Sequence, residues 1–335
     1  MPEDPQYLIL AYYHLTPIPN PQQEIAAHKA FFKERELTSR IYISEKGING
    51  QMSGIREDAD AYMRWMHAHP LFQTMPFRIH SYHEHVFPRQ TIKYRKQLVA
   101  LDEEVNLSSL GEHLSPTQWK ALLEAEQKPI LLDVRNDYEW EVGRFKGAIC
   151  PPCSTFRSFG QYAEKLKSEL DPITTPLMMY CTGGIRCELY SSLLLGKGFQ
   201  KVYQLEGGII NYGLQQGSDH WLGKLFVFDD RLTIPISNQQ TAVTGQCYHC
   251  QISTESYYNC ANVDCNRLFL CCFPCLKEFQ GCCCAHCQIA PRLRPYHQQD
   301  AHKPFRKWLG SLDSGSESTA KGSVGSRPGQ LLIQA

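Results

Sequence analysis

The sequence predicts a multidomain α/β protein: a ferredoxin-like (acylphosphatase-like) α+β domain, an α/β domain built on a parallel sheet, and a cysteine-rich metal-binding region. Three observations carry that prediction. Residues 1–105 hold apolar segments in a strand, helix, strand, strand, helix, strand order, and residues 113–225 alternate short apolar runs with helical patterns. Of fifteen cysteines, all but Cys150, Cys153, Cys181 and Cys187 fall between Cys247 and Cys287. A chain of 335 residues has the length for two or three domains, at about 100 to 200 residues each. Its 42% hydrophobic content marks a globular chain rather than a disordered one.

The first strand is YLILAYY, Tyr7 to Tyr13. Asn20-Pro21 then opens a helix with Ile25, Ala26, Ala30, Phe31 and Phe32 on its apolar side. In RIYISEKGINGQMSG, Ile41 and Ile43 alternate ahead of a turn at Gly47 and Asn49-Gly50, and Met52 lies on the returning strand. Ala59, Tyr62, Met63 and Met66 give helical spacing over 56–69, and a strand from Phe77 to Tyr82 completes the ferredoxin-like order. In the second domain KPILLDV, PLMMYC and QKVYQLEG read as strands, with a helix through Phe159, Tyr162, Ala163, Leu166 and Leu170. Strands alternating with helices argue for a parallel sheet covered on both faces. Beyond Leu232 periodicity fades into the cysteine-rich region at 240–290, and residues 309–335, rich in Gly and Ser, read as a flexible tail.

Basic and acidic residues balance at 34 each, so no global field draws nucleic acid, and only local patches can do so. No apolar run approaches the roughly 18 residues of a membrane span, and MPEDPQYLIL lacks the pattern of a signal peptide. The expectation is a soluble, cytoplasmic protein without membrane contact, whose clustered cysteines are thiolate metal ligands rather than disulfides.

The segment CTGGIRCE carries the chemistry. Cys181 ends an apolar strand, Gly183 and Gly184 let the backbone curl, and a helix begins at Ile185. Amides of Thr182, Gly183, Gly184 and Ile185 then form an anion cradle at a helix amino terminus. The same dipole and Arg186 favour thiolate over thiol, as a nucleophilic cysteine requires. The competing reading is a small buried cysteine at a strand end. The carboxyl end of a parallel strand, where ligand sites of open α/β sheets lie, favours the functional one.

Residues 113–225 resemble a rhodanese domain through Asp133-Val134-Arg135 after a strand, GRFKGAI at 143–149, CTGGIR at 181–186 and LEGGI at 205–209. The resemblance implies a persulfide on Cys181 and a bracing role near the site for Asp133 and Arg135. As residues, that pair reads as a structural ion pair. The amino-terminal RIYISEKGINGQMSG, Cys187 directly after the loop arginine, and the cysteine-rich region extend the likeness: the chain resembles the bacterial tRNA uridine hydroxylase family across residues 7 to 287. That resemblance implies oxygen-dependent conversion of a wobble uridine to 5-hydroxyuridine. It brings tRNA as partner, molecular oxygen as co-substrate, an electron donor that it leaves unnamed, and Cys181, Arg186 and Cys187 as the catalytic group. Two positions depart from the family pattern. Cys150-Pro-Pro-Cys153 has the spacing of a redox pair on what reads as a surface loop, and Gln97 stands where glutamate is expected.

The clustered cysteines form short pairs, each placing two thiolates on one knuckle, and two knuckles complete a tetrahedral zinc site. The expected sets are Cys247, Cys250, Cys272 and Cys275, and Cys260, Cys265, Cys283 and Cys287. Cys271, Cys282 and Cys284 are then spare, with His249 or His286 as substitute ligands. Reduced cysteines without metal, or an iron–sulfur cluster, are the alternatives. Arg89, Lys93, Arg95 and Lys96 form a basic stretch around Tyr94, which reads either as tRNA phosphate contacts or as a solvated strand face. A second basic run offers Tyr296, Phe305 and Trp308 for base stacking. His80, His83 and His85 do not share one side of a strand, so they are not expected to bind metal. A loop cysteine of this kind also suits a sulfurtransferase passing persulfide sulfur to an acceptor. A non-catalytic zinc scaffold is the third class, which an absent loop cysteine would have favoured.

Overall fold

The computed structural model describes residues 7–295. The expected tail at 309–335 and the stacking candidates Tyr296, Phe305 and Trp308 lie outside the described residues.

The first domain runs β1 (Tyr7–His14), α1 (Pro21–Phe32), β2 (Leu37–Ser44), β3 (Gly47–Ile55), α2 (Arg56–Ala68), β4 (Arg78–Tyr82) and β5 (Gln90–Tyr94). Asn20 starts α1 by accepting the Gln23 amide at 3.1 Å, and Pro21 fits the first turn because its missing N–H has no partner there anyway. The strands lie in the order β4-β1-β3-β2-β5, the first four antiparallel and β5 added parallel to β2 at the edge. This is the ferredoxin-like plan with one extra strand.

Side chains alternate across that sheet. Leu8, Leu10 and Tyr12, with Ile41, Ile43 and Met52, pack under the helices against Phe32, Tyr62 and Met66. The period of two sends Tyr13 and Tyr42 to the opposite face. Tyr13 and Tyr42 are both register partners of Asn49, and Tyr42 is the partner of Lys93, so Tyr13, Asn49, Tyr42 and Lys93 form one row across four strands.

The second domain contains β6 (Glu112–Leu114), α3 (Pro116–Glu124), β7 (Ile130–Asp133), α4 (Asp137–Glu141), β8 (Gly143–Phe145), α5 (Phe159–Glu169), β9 (Leu177–Tyr180), α6 (Ile185–Gly196), β10 (Val202–Leu205) and α7 (Gly208–Gln216). Its parallel sheet has the order β6-β10-β9-β7. Every residue of the central strand LMMY is buried, as a strand covered on both faces must be. One face packs on α5 and α6 through Phe159, Leu166, Tyr190 and Leu194, and the other on α3 and α7 through Trp119, Leu123, Ile209 and Tyr212.

The segment at 150–153 corrects an expectation. It is not a free surface loop: Ile149 bridges to Leu132 in parallel, and Cys153 is buried in the cluster of Phe156, Phe159 and Tyr190, because backbone bonds from Asp133 N to Ile149 O and from Asp137 N to Cys153 O, both 2.9 Å, tie the segment to the end of the sheet.

Beyond α7 come β11 (Trp221–Gly223), pairing with β8, then β12 (Leu225–Phe226) and β13 (Thr233–Ile234). The cysteine-rich region is a small hairpin, β14 (Tyr257–Asn259) and β15 (Leu268–Leu270), with two short helices, α8 (Phe273–Glu278) and α9 (Ala285–Gln288).

Phe145 is fully buried, edge-on to Tyr180 and Tyr212 at 4.8 Å and to Trp221 at 5.2 Å. Phe145→Ala should therefore cost about 3–5 kcal/mol, read as a lower urea midpoint by tryptophan fluorescence.

Candidate active site

Cys181 follows β9 at the carboxyl edge of the parallel sheet, and the chain turns there at once into α6. The turn needs Gly184, whose φ is +109° and where a Cβ would lie 2.8 Å from the Tyr13 hydroxyl oxygen. It also needs Gly208, at φ +66°, where a Cβ would meet the carbonyl oxygens of Cys181 and Thr182 at 2.6 Å. With that Cβ absent, the first turn of α7 clasps the loop: Ile209 N donates to Cys181 O at 3.0 Å and Ile210 N to Thr182 O at 3.2 Å.

The loop amides turn inward onto sulfur. Gly184 N donates to Cys181 Sγ at 3.1 Å, and the Cys187 amide and thiol also donate to it. Burial alone would push the Cys181 thiol up. The Cys187 thiol, the Arg186 charge and the two amides outweigh that and hold it down at about 6, so it is a thiolate at neutral pH. The Cys187 thiol is pushed well up by burial and by the Cys181 charge, which keeps its proton available to that hydrogen bond.

Arg186 does not reach sulfur directly. Its guanidinium forks onto Glu139, Nη1 to Oε2 at 2.5 Å and Nη2 to Oε1 at 2.8 Å, and also donates to Thr182 Oγ1 at 3.2 Å. Glu139 in turn accepts from Thr182 Oγ1 at 3.2 Å and from the Asn136 amide at 3.1 Å. Glu139 was not identified in the sequence, where its spacing from Asn136 at the start of α4 was the available signal. Asp133 and Arg135 are wholly buried beneath the site and do not line it. Arg135 Nε and Nη2 donate to the carboxylate at 2.9 and 2.6 Å, and Nη2 also donates to Gly143 O at 2.7 Å.

Above the loop lies a cavity of about 730 Å³, walled on one side by Cys181, Thr182, Gly183, Ile185 and Arg186. The opposite wall is the open face of the first sheet: Tyr13, Asn49 and Tyr42 of the outward row, then Arg40, Gln51 and Arg78 of the row below. None of these sheet residues was singled out as a site residue from the sequence, because their register places them opposite the loop only after both domains have docked.

The cysteine-rich region gathers two tetrads, Cys247, Cys250, Cys272 and Cys275, and Cys260, Cys265, Cys283 and Cys287. Within each, all four sulfurs lie within 4.8 Å of one another, and Cys250–Cys272, Cys265–Cys283 and Cys283–Cys287 stand at 3.5, 3.7 and 3.8 Å. A tetrahedral site with M–S bonds of about 2.3 Å spaces its sulfurs by about 3.8 Å, so either tetrad can hold a metal ion. Among the described residues no histidine joins either group. His249 instead stacks on Phe279 at 3.8 Å, and His85 Nδ1 is engaged with Ser53 Oγ at 3.1 Å.

Three family models match the chain in succession: a UPF0176 acylphosphatase like domain over residues 7–98, a rhodanese-like domain over 115–214 and a rhodanase C-terminal domain over 222–288. The chain is 69% identical over 307 residues to the tRNA uridine(34) hydroxylase of Protochlamydia amoebophila (strain UWE25), covering 92% of this chain and 96% of that protein. The chain belongs to the tRNA uridine(34) hydroxylase family. Proteins of the same name from Chlamydia felis (strain Fe/C-56) and Chlamydia caviae (strain ATCC VR-813 / DSM 19441 / 03DC25 / GPIC) are 55% and 54% identical over 303 residues, covering 90% of this chain and 93% and 91% of theirs. As a tRNA uridine(34) hydroxylase family member it is an enzyme, and no helix among the described residues is long and apolar enough to cross a membrane.

In this family member the basic stretch runs along the edge strand β5, with Lys93 on the strand, Arg89 just before it and Arg95 and Lys96 just after it. Arg89, Lys93 and Lys96 are exposed, and Arg95 lies over the Tyr42 ring at 5.1 Å, so the stretch adjoins the cavity wall. Cys150 and Cys153 do not line the cavity, and burial pushes their thiols up to about 12 and about 11, against thiolate reactivity.

The Cys187 thiol is the largest of the influences that keep Cys181 ionised. Cys187→Ala should raise the Cys181 pKa above about 6, shifting the pH–rate curve for iodoacetamide labelling of the Cys181 peptide to higher pH. Labelling with an unmoved midpoint would refute this.

Proposed function

We propose that the chain hydroxylates C5 of the wobble uridine of tRNA, with Cys181 as the reactive group and the cavity above it as the uridine site. The observation that carries this reading is a buried thiolate opening into a cavity whose other wall offers two tyrosines and, beside them, Arg40 and Arg78. Single-stranded nucleotides are held by aromatic faces for the base and cations for the phosphates, and an anticodon loop presents its bases unpaired. The row from Tyr13 through Asn49 and Tyr42 to Lys93 leads out of the cavity onto β5. Arg89, Lys93, Arg95 and Lys96 continue it as phosphate contacts, outside which the anticodon stem lies. A tRNA substrate makes the cytoplasm the compartment of the reaction.

Uracil C5 is a weak nucleophile until something adds at C6. Cys181 thiolate forms an S–C6 bond, and the C5=C6 electron pair moves onto C5 in conjugation with the C4 carbonyl. C5 then takes one oxygen atom from an oxidant derived from molecular oxygen, while two electrons from a donor outside the chain reduce the other atom to water. Loss of the C5 proton and return of the S–C6 pair to sulfur restore the double bond. The loop amides and Arg186 hold charge on sulfur at both ends of the cycle. Cys187, hydrogen-bonded to Cys181, resolves an oxidised Cys181 as a disulfide.

The two tetrads hold zinc, with a structural role. Their all-thiolate donor set and closed geometry leave no position for substrate, and the metal charge favours the thiolates that burial otherwise disfavours, as at Cys260, whose thiol is pushed up to about 12.

Cys181→Ala should abolish 5-hydroxyuridine in tRNA when expressed in cells lacking the gene, measured by nucleoside mass spectrometry against the wild-type chain. Full activity of that variant ends the proposal. Protein purified without added metal should carry about two zinc ions per chain by elemental analysis. Less than half an equivalent, with the eight ligands freely alkylated, would remove zinc from the account.

A further inference from the structure

Glu188 stands on α6, one residue beyond Cys187, and is 7% exposed. Three side chains from three other strands converge on it. The Tyr13 hydroxyl of β1 donates to Oε1 at 2.9 Å, His113 Nε2 of β6 meets the same oxygen at 3.0 Å, and Gln204 Nε2 of β10 donates to Oε2 at 3.3 Å. Tyr13 and Glu188 line the cavity, and the Tyr13 hydroxyl lies over the loop at Gly184. At the other end the His113 side chain is 42% exposed. An unbroken set of protonatable groups thus runs from the reaction cavity, through a buried carboxylate, to an imidazole in water.

The chemistry leaves such a path a task. Once C5 carries its new hydroxyl, its hydrogen must leave as a proton, and Cys181 cannot take it while bonded to C6. Arg40, Lys46, Arg78 and Arg186 are cations, and Glu45, the cavity's other carboxylate, accepts from the Tyr94 hydroxyl at 3.1 Å through both oxygens; His14 also borders the cavity, but it alternates with Tyr13 along β1 and its ring lies edge-on to Phe72 at 6.4 Å, on the helix-covered face.

We propose that Tyr13, Glu188 and His113 form a proton path that carries the C5 proton of the bound uridine from the cavity to solvent. This rests on the reading of the cavity as the uridine site. The C5–H electron pair forms the C5=C6 bond as the S–C6 bond breaks and its pair returns to Cys181. The proton passes to the Tyr13 oxygen while the Tyr13 proton moves to Glu188, and the carboxyl hands a proton to neutral His113, which releases it to water. No electrons are gained or lost in this step. Tyr13 relays rather than ionises, since burial and the nearby charges of Glu188 and Cys181 push its hydroxyl far up. His113 is held up by its bond to Glu188, against partial burial, with Glu206 adding to the effect. It accepts a proton only when neutral, so the path opens as pH rises through that raised value.

The test is single-turnover hydroxylation by the full chain of tRNA carrying hydrogen or deuterium at C5 of the wobble uridine. Tyr13→Phe should slow product formation by about a hundredfold and raise the isotope effect, because proton removal becomes limiting. Affinity for tRNA and the labelling rate of Cys181 should stay within about twofold, because phenylalanine keeps the aromatic face and loses only the hydroxyl that moves the proton. His113→Gln should flatten the rise of rate with pH. Tyr13→Phe at the wild-type rate, or slowed with no larger isotope effect, overturns the proposal. Glu188→Gln, which removes the carboxylate that receives the Tyr13 proton, should slow product formation likewise, and if it fails to fold, Tyr13→Phe and His113→Gln still decide. A wild-type chain that leaves tRNA unhydroxylated defeats the uridine reading instead, and that outcome is told apart by the activity of the unmodified chain.

Discussion

Glu139 and Arg186 form a buried ion pair on which the active loop depends. Glu139 is fully buried and Arg186 nearly so, and an isolated charge at such depth costs several kcal/mol, so the pair persists only because its geometry leaves little unsatisfied. The two nitrogens of Arg186 grip both carboxylate oxygens, and Thr182 and the Asn136 amide take further acceptor positions. This arrangement ties the start of α4 to the loop and the first turn of α6. The Arg186 charge is thereby fixed near sulfur without being spent on a direct bond to it, and the amides of Gly184 and Cys187 are left to engage Cys181. A Lys at position 186 would keep the charge but lose the fork, leaving one oxygen of a buried carboxylate short of a donor.

A second constraint is the alternation of β1. Tyr12 belongs to the core of the first domain, where its hydroxyl meets that of Tyr62, and Tyr13, one residue on, lines the cavity above Cys181. The same period gives Ile41 and Ile43 to the core and Tyr42 to the cavity. The cavity therefore exists only where two domains meet: the loop supplies the Cys181 thiol, and the sheet supplies the aromatic and cationic wall. The bond from Tyr13 to Glu188 crosses that junction.

Features written as local pattern were legible in the sequence. The ferredoxin-like order follows from periodicity and one turn, and the loop follows from a cysteine, two glycines and an arginine at a strand end. The two cysteine tetrads coincide with the expected sets because short pairs fix each knuckle, and the β14–β15 hairpin brings alternate knuckles together. What stayed hidden depends on long-range contact. Tyr13 and Glu188 are separated by 175 positions, and Glu139 and Arg186 by 47, with nothing in either segment naming its partner. The burial of Cys153 was hidden for the same reason: a Pro-Pro segment reads as exposed until the aromatic residues of α5 and α6 are known to cover it.

The cysteine-rich region also reaches the site through packing. Its apolar cluster is built largely of cysteines, and eight cysteines, gathered in the two tetrads that can hold a metal ion, draw the short segment together. The hairpin so held presents Tyr257, whose hydroxyl donates to Tyr138 O at 2.5 Å, and Phe226 packs edge-on against both Tyr138 and Tyr257. Tyr138 precedes Glu139 on α4, and Phe228, in the same apolar cluster, lies under the Arg186 guanidinium at 5.7 Å. The hairpin therefore stands behind the helix that carries the buried carboxylate. Phe228 against the Arg186 guanidinium keeps the Glu139–Arg186 pair in a low-dielectric setting, where its attraction is strongest and where the same guanidinium also holds Thr182 Oγ1.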